Sequence, residues 1–128
     1  MDIYFTKHAL HRKTQRNDWL IRTPTWGEAN QSVPSLEKLL VTKGKWFGRK
    51  DPDTGMKMIY CIVNKLEVYC GVIEGQEGHN KAIITTYYPY IPSVKKKLYR
   101  RREENFESFD VNDPDPEVFK DPGSNNED

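Results

Sequence analysis

Histidine and arginine recur at helical spacing near the start of the chain, in Phe5-Thr6-Lys7-His8-Ala9-Leu10-His11-Arg12-Lys13-Thr14-Gln15-Arg16. On a helix, His8, Arg12 and Arg16 stand at i, i+4 and i+8 and share nearly one face. Imidazole exchanges a proton near neutral pH, and guanidinium grips phosphate through paired hydrogen bonds. Together these groups suit RNA cleavage by internal transfer. A base takes the 2′-hydroxyl proton, cations hold the phosphate in its transition state, and an acid protonates the departing 5′-oxygen. Lys7 and Lys13 add positive charge to the same segment. The same residues also compose an ordinary solvated helix face that does no chemistry. His8 and His11 are three apart, but no nearby Cys or acid completes a metal set, so neither a metal nor a cofactor is expected.

The elements that must position this face are legible in the local pattern. Ile3-Tyr4-Phe5 is a short β-type run, Thr6 has the residue type of an N-cap, and Lys7 to Arg16 reads as a helix whose only apolar residues are Ala9 and Leu10. Thr23-Pro24 opens a short helix to about Asn30. Val33-Pro34 restarts the chain, Leu36, Leu39 and Leu40 supply a helical stripe, and Gly44 fits its stop. From Lys45 the period becomes two, with Trp46-Phe47 strand-like. Asp51-Pro52-Asp53-Thr54-Gly55 is turn chemistry without the later ligands and closing Glu of a calcium loop.

Met56 to Val63 and Leu66 to Glu74 read as a hairpin around Asn64-Lys65. A two-residue turn pairs Val63 with Leu66 and puts Ile59, Cys61, Val63, Leu66, Val68, Cys70 and Val72 on one core face. Cys61 and Cys70 are then buried reduced thiols. The other face is half-polar and tyrosine-rich. Tyr60, Tyr69, Tyr87, Tyr88, Tyr90 and Trp46 form an aromatic surface there, suited to stacking single-stranded bases or simply favoured as strand residues. Lys81 to Tyr88 is a further strand, ended by Pro89. The expected fold class is α+β: a short N-terminal strand and helices packed on a three- to four-stranded antiparallel sheet in meander order. A basic helix from Ser93 to Phe106 carries Lys95, Lys96, Lys97, Arg100, Arg101 and Arg102, further candidates for binding nucleic acid. An acidic tail rich in Asp-Pro follows and reads as disordered. The expected boundaries are 1–92 for the α+β domain, 93–107 for the basic helix and 108–128 for the tail.

The net charge of +1 hides a division. Residues 1–102 hold 19 of the 20 Lys+Arg against 9 of the 19 Asp+Glu, a balance of +10; residues 103–128 hold Lys120 against ten acids, a balance of −9. A domain so basic attracts a polyanion by neutralising phosphates and releasing counterions, unless its charge is merely solvated. The −9 segment could fold back as a nucleic-acid mimic. No run approaches the roughly 20 apolar residues of a membrane span. No signal peptide is visible, and two cysteines are too few for a disulfide scaffold. A cytoplasmic, reduced protein with no membrane partner is expected.

Phe5-Thr6-Lys7-His8-Ala9 with Arg12 and Arg16, and the strand Ile83-Ile84-Thr85-Thr86-Tyr87-Tyr88-Pro89, resemble a family of small RelE- and BrnT-like toxin-related domains within the wider barnase, colicin and RelE ribonuclease superfamily. The resemblance covers residues 3–19 and 56–92. It implies an RNA-cleaving or RNA-binding domain, RNA rather than DNA, with His8, Arg12 and Arg16 of the helix motif and Thr86 and Tyr88, polar positions of the closing strand, as its catalytic residues. It also implies a protein antitoxin or regulatory partner. The longer segment from Asp18 to Phe47, the basic helix and the acidic tail depart from the family pattern. Three readings stay open: a metal-independent endoribonuclease with His8 as acid or base, a non-catalytic nucleic-acid-binding or regulatory protein of viral or plasmid type, and a protein-interaction module.

Overall fold

Thr6 caps the first helix, as its residue type implies. The computed structural model of the chain describes residues 1–17, 33–89 and 106–120. Strand β1 (Asp2–Phe5) leads into helix α1 (Lys7–Asn17), and the Thr6 hydroxyl accepts the Ala9 backbone N–H at 3.1 Å, satisfying a donor the helix itself leaves orphaned. Helix α2 (Pro34–Lys43) starts with proline in its first turn and stops at Gly44, whose N–H returns to the Leu40 carbonyl. The helix expected between Thr23 and Asn30 lies outside the described residues.

The strands that follow are β2 (Gly44–Lys50), β3 (Lys57–Val63), β4 (Glu67–Gln76) and β5 (His79–Pro89). Each pairs antiparallel with the next. The sheet is not the expected meander: among the described residues it has six strands, ordered β1-β5-β4-β3-β2-β6. β1 adds at one edge, parallel to β5, and β6 (Glu107–Phe109) adds antiparallel to β2 at the other. Both additions join segments far apart in the chain. A local pattern of alternation identifies a strand but carries no information about such a partner.

The β3–β4 hairpin corrects the expected register. Asn64 and Lys65 both have positive φ, 51° and 59°, and the Leu66 N–H donates to the Val63 carbonyl at 2.9 Å. Pairing resumes only at Glu67, which stands opposite Val63. Leu66 is therefore an extra turn residue, 67% exposed. One residue of slip moves every β4 side chain to the other face. Tyr69 and Ile73 point into the main core with Ile59, Cys61 and Val63. Val68 and Cys70 face the opposite side with Phe47, Tyr60 and Ile62. Cys61 and Cys70 are both free thiols but lie on opposite faces, and burial pushes the Cys61 thiol well above its ordinary pKa.

The acidic segment, expected to be disordered, is a structural part of the domain between residues 106 and 120. β6 is followed by a 3-10 helix over Glu117–Phe119, and Val111 and Phe119 are buried in the main core with Leu36, Leu40 and Trp46. Gly48 in β2 makes room for this: a Cβ there would stand 2.4 Å from the Phe119 ring. Asp115 then accepts the Gly78 N–H at 2.8 Å and the Asn80 side-chain amide at 3.0 Å, fastening the segment to the β4–β5 turn. Five sparse apolar residues, Phe106, Phe109, Val111, Val118 and Phe119, are enough to dock it. Of the expected basic helix, Glu107 belongs to β6 and Phe106 precedes it without helical structure; Lys95, Lys96, Lys97, Arg100, Arg101 and Arg102 lie outside the described residues. Among the described residues, no helix is long and apolar enough to cross a membrane.

Candidate nucleic-acid interface

Helix α1 is held to the sheet by a buried ion pair. Ala9, Leu10 and Lys13 share its inward face, all of them buried. The Lys13 side chain is 1% exposed and its ammonium pairs with the Glu67 carboxylate, itself 15% exposed. The Tyr69 hydroxyl donates to the same carboxylate at 3.2 Å. The rings of Tyr87 and Tyr69 enclose the ammonium, with centroids 4.6 and 5.4 Å away. Burial draws the Lys13 pKa below the ordinary lysine value, and the hydrogen bond and charge of Glu67 oppose that shift. Burial is also the main cause of the raised Tyr69 pKa, with the Glu67 charge second. A charge so enclosed persists because it is paired and hydrogen-bonded. Lys13, expected to bind phosphate, is instead the lysine that fixes how α1 sits.

With Lys13 facing inward, Lys7, His8 and His11 are exposed on α1 and Arg12 is half-buried. The Arg16 side chain lies outside the described residues. Thr86 and Tyr88 do not join this group. Cross-strand partners share a face, and Thr86 stands opposite Cys70 while Tyr88 stands opposite Val68. Cys70 and Val68 belong to the cluster on the far side of the sheet, whereas Tyr87, between Thr86 and Tyr88, lies in the core with Ala9 and Leu10. The sheet thus separates Thr86 and Tyr88 from the histidine helix. The expected aromatic surface is split in the same way. Trp46, Tyr69 and Tyr87 are core residues, Tyr60 is buried on the opposite side between Phe47 and Phe106, and Tyr88 is exposed there. Tyr90 lies outside the described residues. Among the described residues, no group of His, Cys, Asp and Glu is arranged to hold a metal ion.

Charge is instead sorted along the strand direction. At one end of the sheet β2 begins, β3 ends, β4 begins and β5 ends, as the pairs Gly44–Val63, Val63–Glu67 and Glu67–Pro89 record. Three exposed lysines gather there: Lys43 at the close of α2, Lys45 one residue into β2, and Lys65 in the hairpin turn. Among the described residues, the acids at that end are Glu67, neutralised by Lys13, and Asp110 beside Lys45. The opposite end carries Asp51 and Asp53 in the β2–β3 turn, Glu74 and Glu77 near the β4–β5 turn, and Asp113, Asp115 and Glu117 of the docked acidic segment. Lys50, Lys57, Lys81 and Lys120 are interspersed with them. Helix α1 starts beside Ile84, where the Thr6 N–H meets the Ile84 carbonyl at 2.9 Å, and Lys13 has already reached Glu67. It therefore runs toward the basic end.

The basic end was not visible in the sequence as a cluster. Lys43, Lys45 and Lys65 become neighbours only through the β2–β3 pairing, although two lysines beside a glycine stop and a third in a turn are each ordinary signals for an exposed cation. Glu67 as the partner of Lys13 was equally hidden, but the position of Lys13 three and four residues after Leu10 and Ala9 placed it on the apolar helix face. Comparison with protein-family models, with curated proteins and with solved structures returns no match to this chain.

Proposed function

We propose that the chain is a non-catalytic nucleic-acid-binding domain, with single-stranded RNA as its ligand, and that its basic end is the contact surface. The observation that carries this reading is the sorting of charge. Lys43, Lys45 and Lys65 project at one end of the sheet, while Asp113, Asp115 and Glu117 of the docked segment sit at the other. A phosphate backbone meeting the basic end gains from each cation without facing the acidic one. The exposed Lys7, His8 and His11 of α1 extend the surface from mid-sheet. The preference for RNA rests on the resemblance of the α1 segment to RelE- and BrnT-like domains. Cleavage is the weaker reading, because Thr86 and Tyr88 stand across the sheet from His8.

The test is charge reversal at the two ends. Lys43→Glu, Lys45→Glu and Lys65→Glu together should weaken binding of a single-stranded RNA oligomer at least tenfold at low salt, measured by fluorescence anisotropy. Lys50→Glu and Lys57→Glu, at the other end, should change it less than threefold. Equal losses from both sets would contradict the assignment of the basic end. Formation of 2′,3′-cyclic phosphate ends by the unmodified chain, abolished by His8→Ala, would restore the catalytic reading.

A further inference from the structure

The strand register places an exposed cation and an exposed ring in one row of the sheet. At the basic end Lys45 pairs with Ile62, Ile62 with Val68, and Val68 with Tyr88. Cross-strand partners share a face, so all four belong to the face that carries the Phe47 and Tyr60 cluster. Ile62 and Val68 are packed into that cluster, whereas Lys45 and Tyr88, at the two ends of the row, are exposed. Three strand spacings separate them, about 14 Å. Leu66 stands two residues before Val68 in the β3–β4 turn and is the most exposed large apolar side chain among the described residues. That turn is strained. Lys65 has a φ of 59° where glycine is the low-strain residue, and Asn64 precedes it at 51°. Strained residues cluster where the shape they impose is used. Here the turn carries Lys65 and Leu66 beyond the last strand pair, Val63 with Glu67.

We infer that Tyr88 and Leu66 form a base contact: an unpaired base of the RNA packs against them while Lys45 and Lys65 hold its flanking phosphates. This contact rests on the nucleic-acid reading of the basic end. A tyrosine ring offers a stacking surface to any base, and Lys45 supplies a cation along the same row. Lysines alone bind phosphate whether or not bases are present; a ring and a leucine beside them add a contact that only an unstacked base can make. Two side chains are too little apolar surface for a stable membrane anchor, so the lysines around them point to a nucleotide ligand rather than to a lipid surface.

The test titrates the full chain into single-stranded oligoadenylate and into an abasic sugar-phosphate oligomer of equal length, followed by fluorescence anisotropy. Oligoadenylate should bind about tenfold more tightly at one salt concentration. Tyr88→Thr and Leu66→Ser should each weaken oligoadenylate binding about fivefold, with binding of the abasic oligomer and the salt dependence as in the parent. Tyr88→Phe keeps the ring and should bind as the parent does. Should Tyr88→Thr fail to fold, Leu66→Ser decides alone, because Leu66 lies outside the strand pairing. Equal, salt-sensitive binding of both oligomers would overturn the base contact and leave the phosphate-binding reading standing. So would variants that bind oligoadenylate as tightly as the parent, or that lose both oligomers alike. Cosedimentation with phosphatidylserine vesicles that depends on Leu66, beside RNA binding that does not, would overturn it in favour of a lipid surface. Binding of neither oligomer would overturn both readings.

Discussion

Replacing Glu67 with alanine should destabilise the domain by about 3–5 kcal/mol, the scale for removing one partner of a buried ion pair. The loss is large because Lys13 is left charged and enclosed against the Tyr69 and Tyr87 rings, and because the Tyr69 hydroxyl loses its acceptor. The double variant Lys13→Met with Glu67→Gln should recover most of that loss. It removes both charges, fills the site with a chain of similar length and leaves Tyr69 an amide oxygen to bond. Urea unfolding of the two variants beside the parent separates these outcomes by their midpoints. RNA affinity of the double variant should stay within about threefold of the parent, since Lys13 is enclosed rather than offered to a phosphate. A double variant as unstable as Glu67→Ala would mean that the site depends on the charges themselves. A large loss of affinity at unchanged stability would return Lys13 to the binding surface.

Deleting residues 106–128 should unfold the domain or bring it close to unfolding. The deletion removes β6 from the edge of β2 and takes Val111 and Phe119 out of the core. Phe119→Ala alone should cost about 3–5 kcal/mol, against a total stability for a domain of this size of about 5–15 kcal/mol. Phe119 is held over Gly48, where a Cβ would stand 2.4 Å from its ring. Thermal unfolding followed by circular dichroism measures both. A truncated chain that melts with the parent and binds nucleic acid more tightly at low salt would instead make the acidic segment a detachable mimic of the ligand. The bonds of Asp115 to Gly78 and Asn80 fasten this part of the segment at the end of the sheet away from Lys43, Lys45 and Lys65.

These two results bear on what the sequence makes legible. Local chemistry is read reliably. Thr6 as a cap, Pro34 as a helix start, Gly44 as a stop and the alternation of β3 all follow from one or two residues and their immediate neighbours. Facts that depend on a distant partner are not. The parallel placement of β1 beside β5 has no local signature. The hairpin register turns on whether Leu66, an apolar residue next to a turn, belongs to the strand, and the pairing of Val63 with Glu67 decides that it does not. Proline and charge dominate the composition of the acidic segment, yet the sparse Phe109, Val111 and Phe119 are enough to dock it on the core. The candidate site divides along the same line. Exposed positions on α1 are as the helical period places them, while Thr86 and Tyr88 are sent to the far face by strand alternation and Lys13 is turned inward by its apolar neighbours.

The central claim is that the basic end binds a polyanion, and its most direct measurement is the salt dependence of that binding. A single-stranded RNA oligomer should be titrated with the unmodified chain at several concentrations of monovalent salt. Each phosphate neutralised contributes about −0.7 to the slope of log affinity against log salt for a single strand, so three contacts from Lys43, Lys45 and Lys65 give a slope of about −2 or steeper. Affinity that does not change with salt, or no binding at the lowest salt tested, would contradict the account.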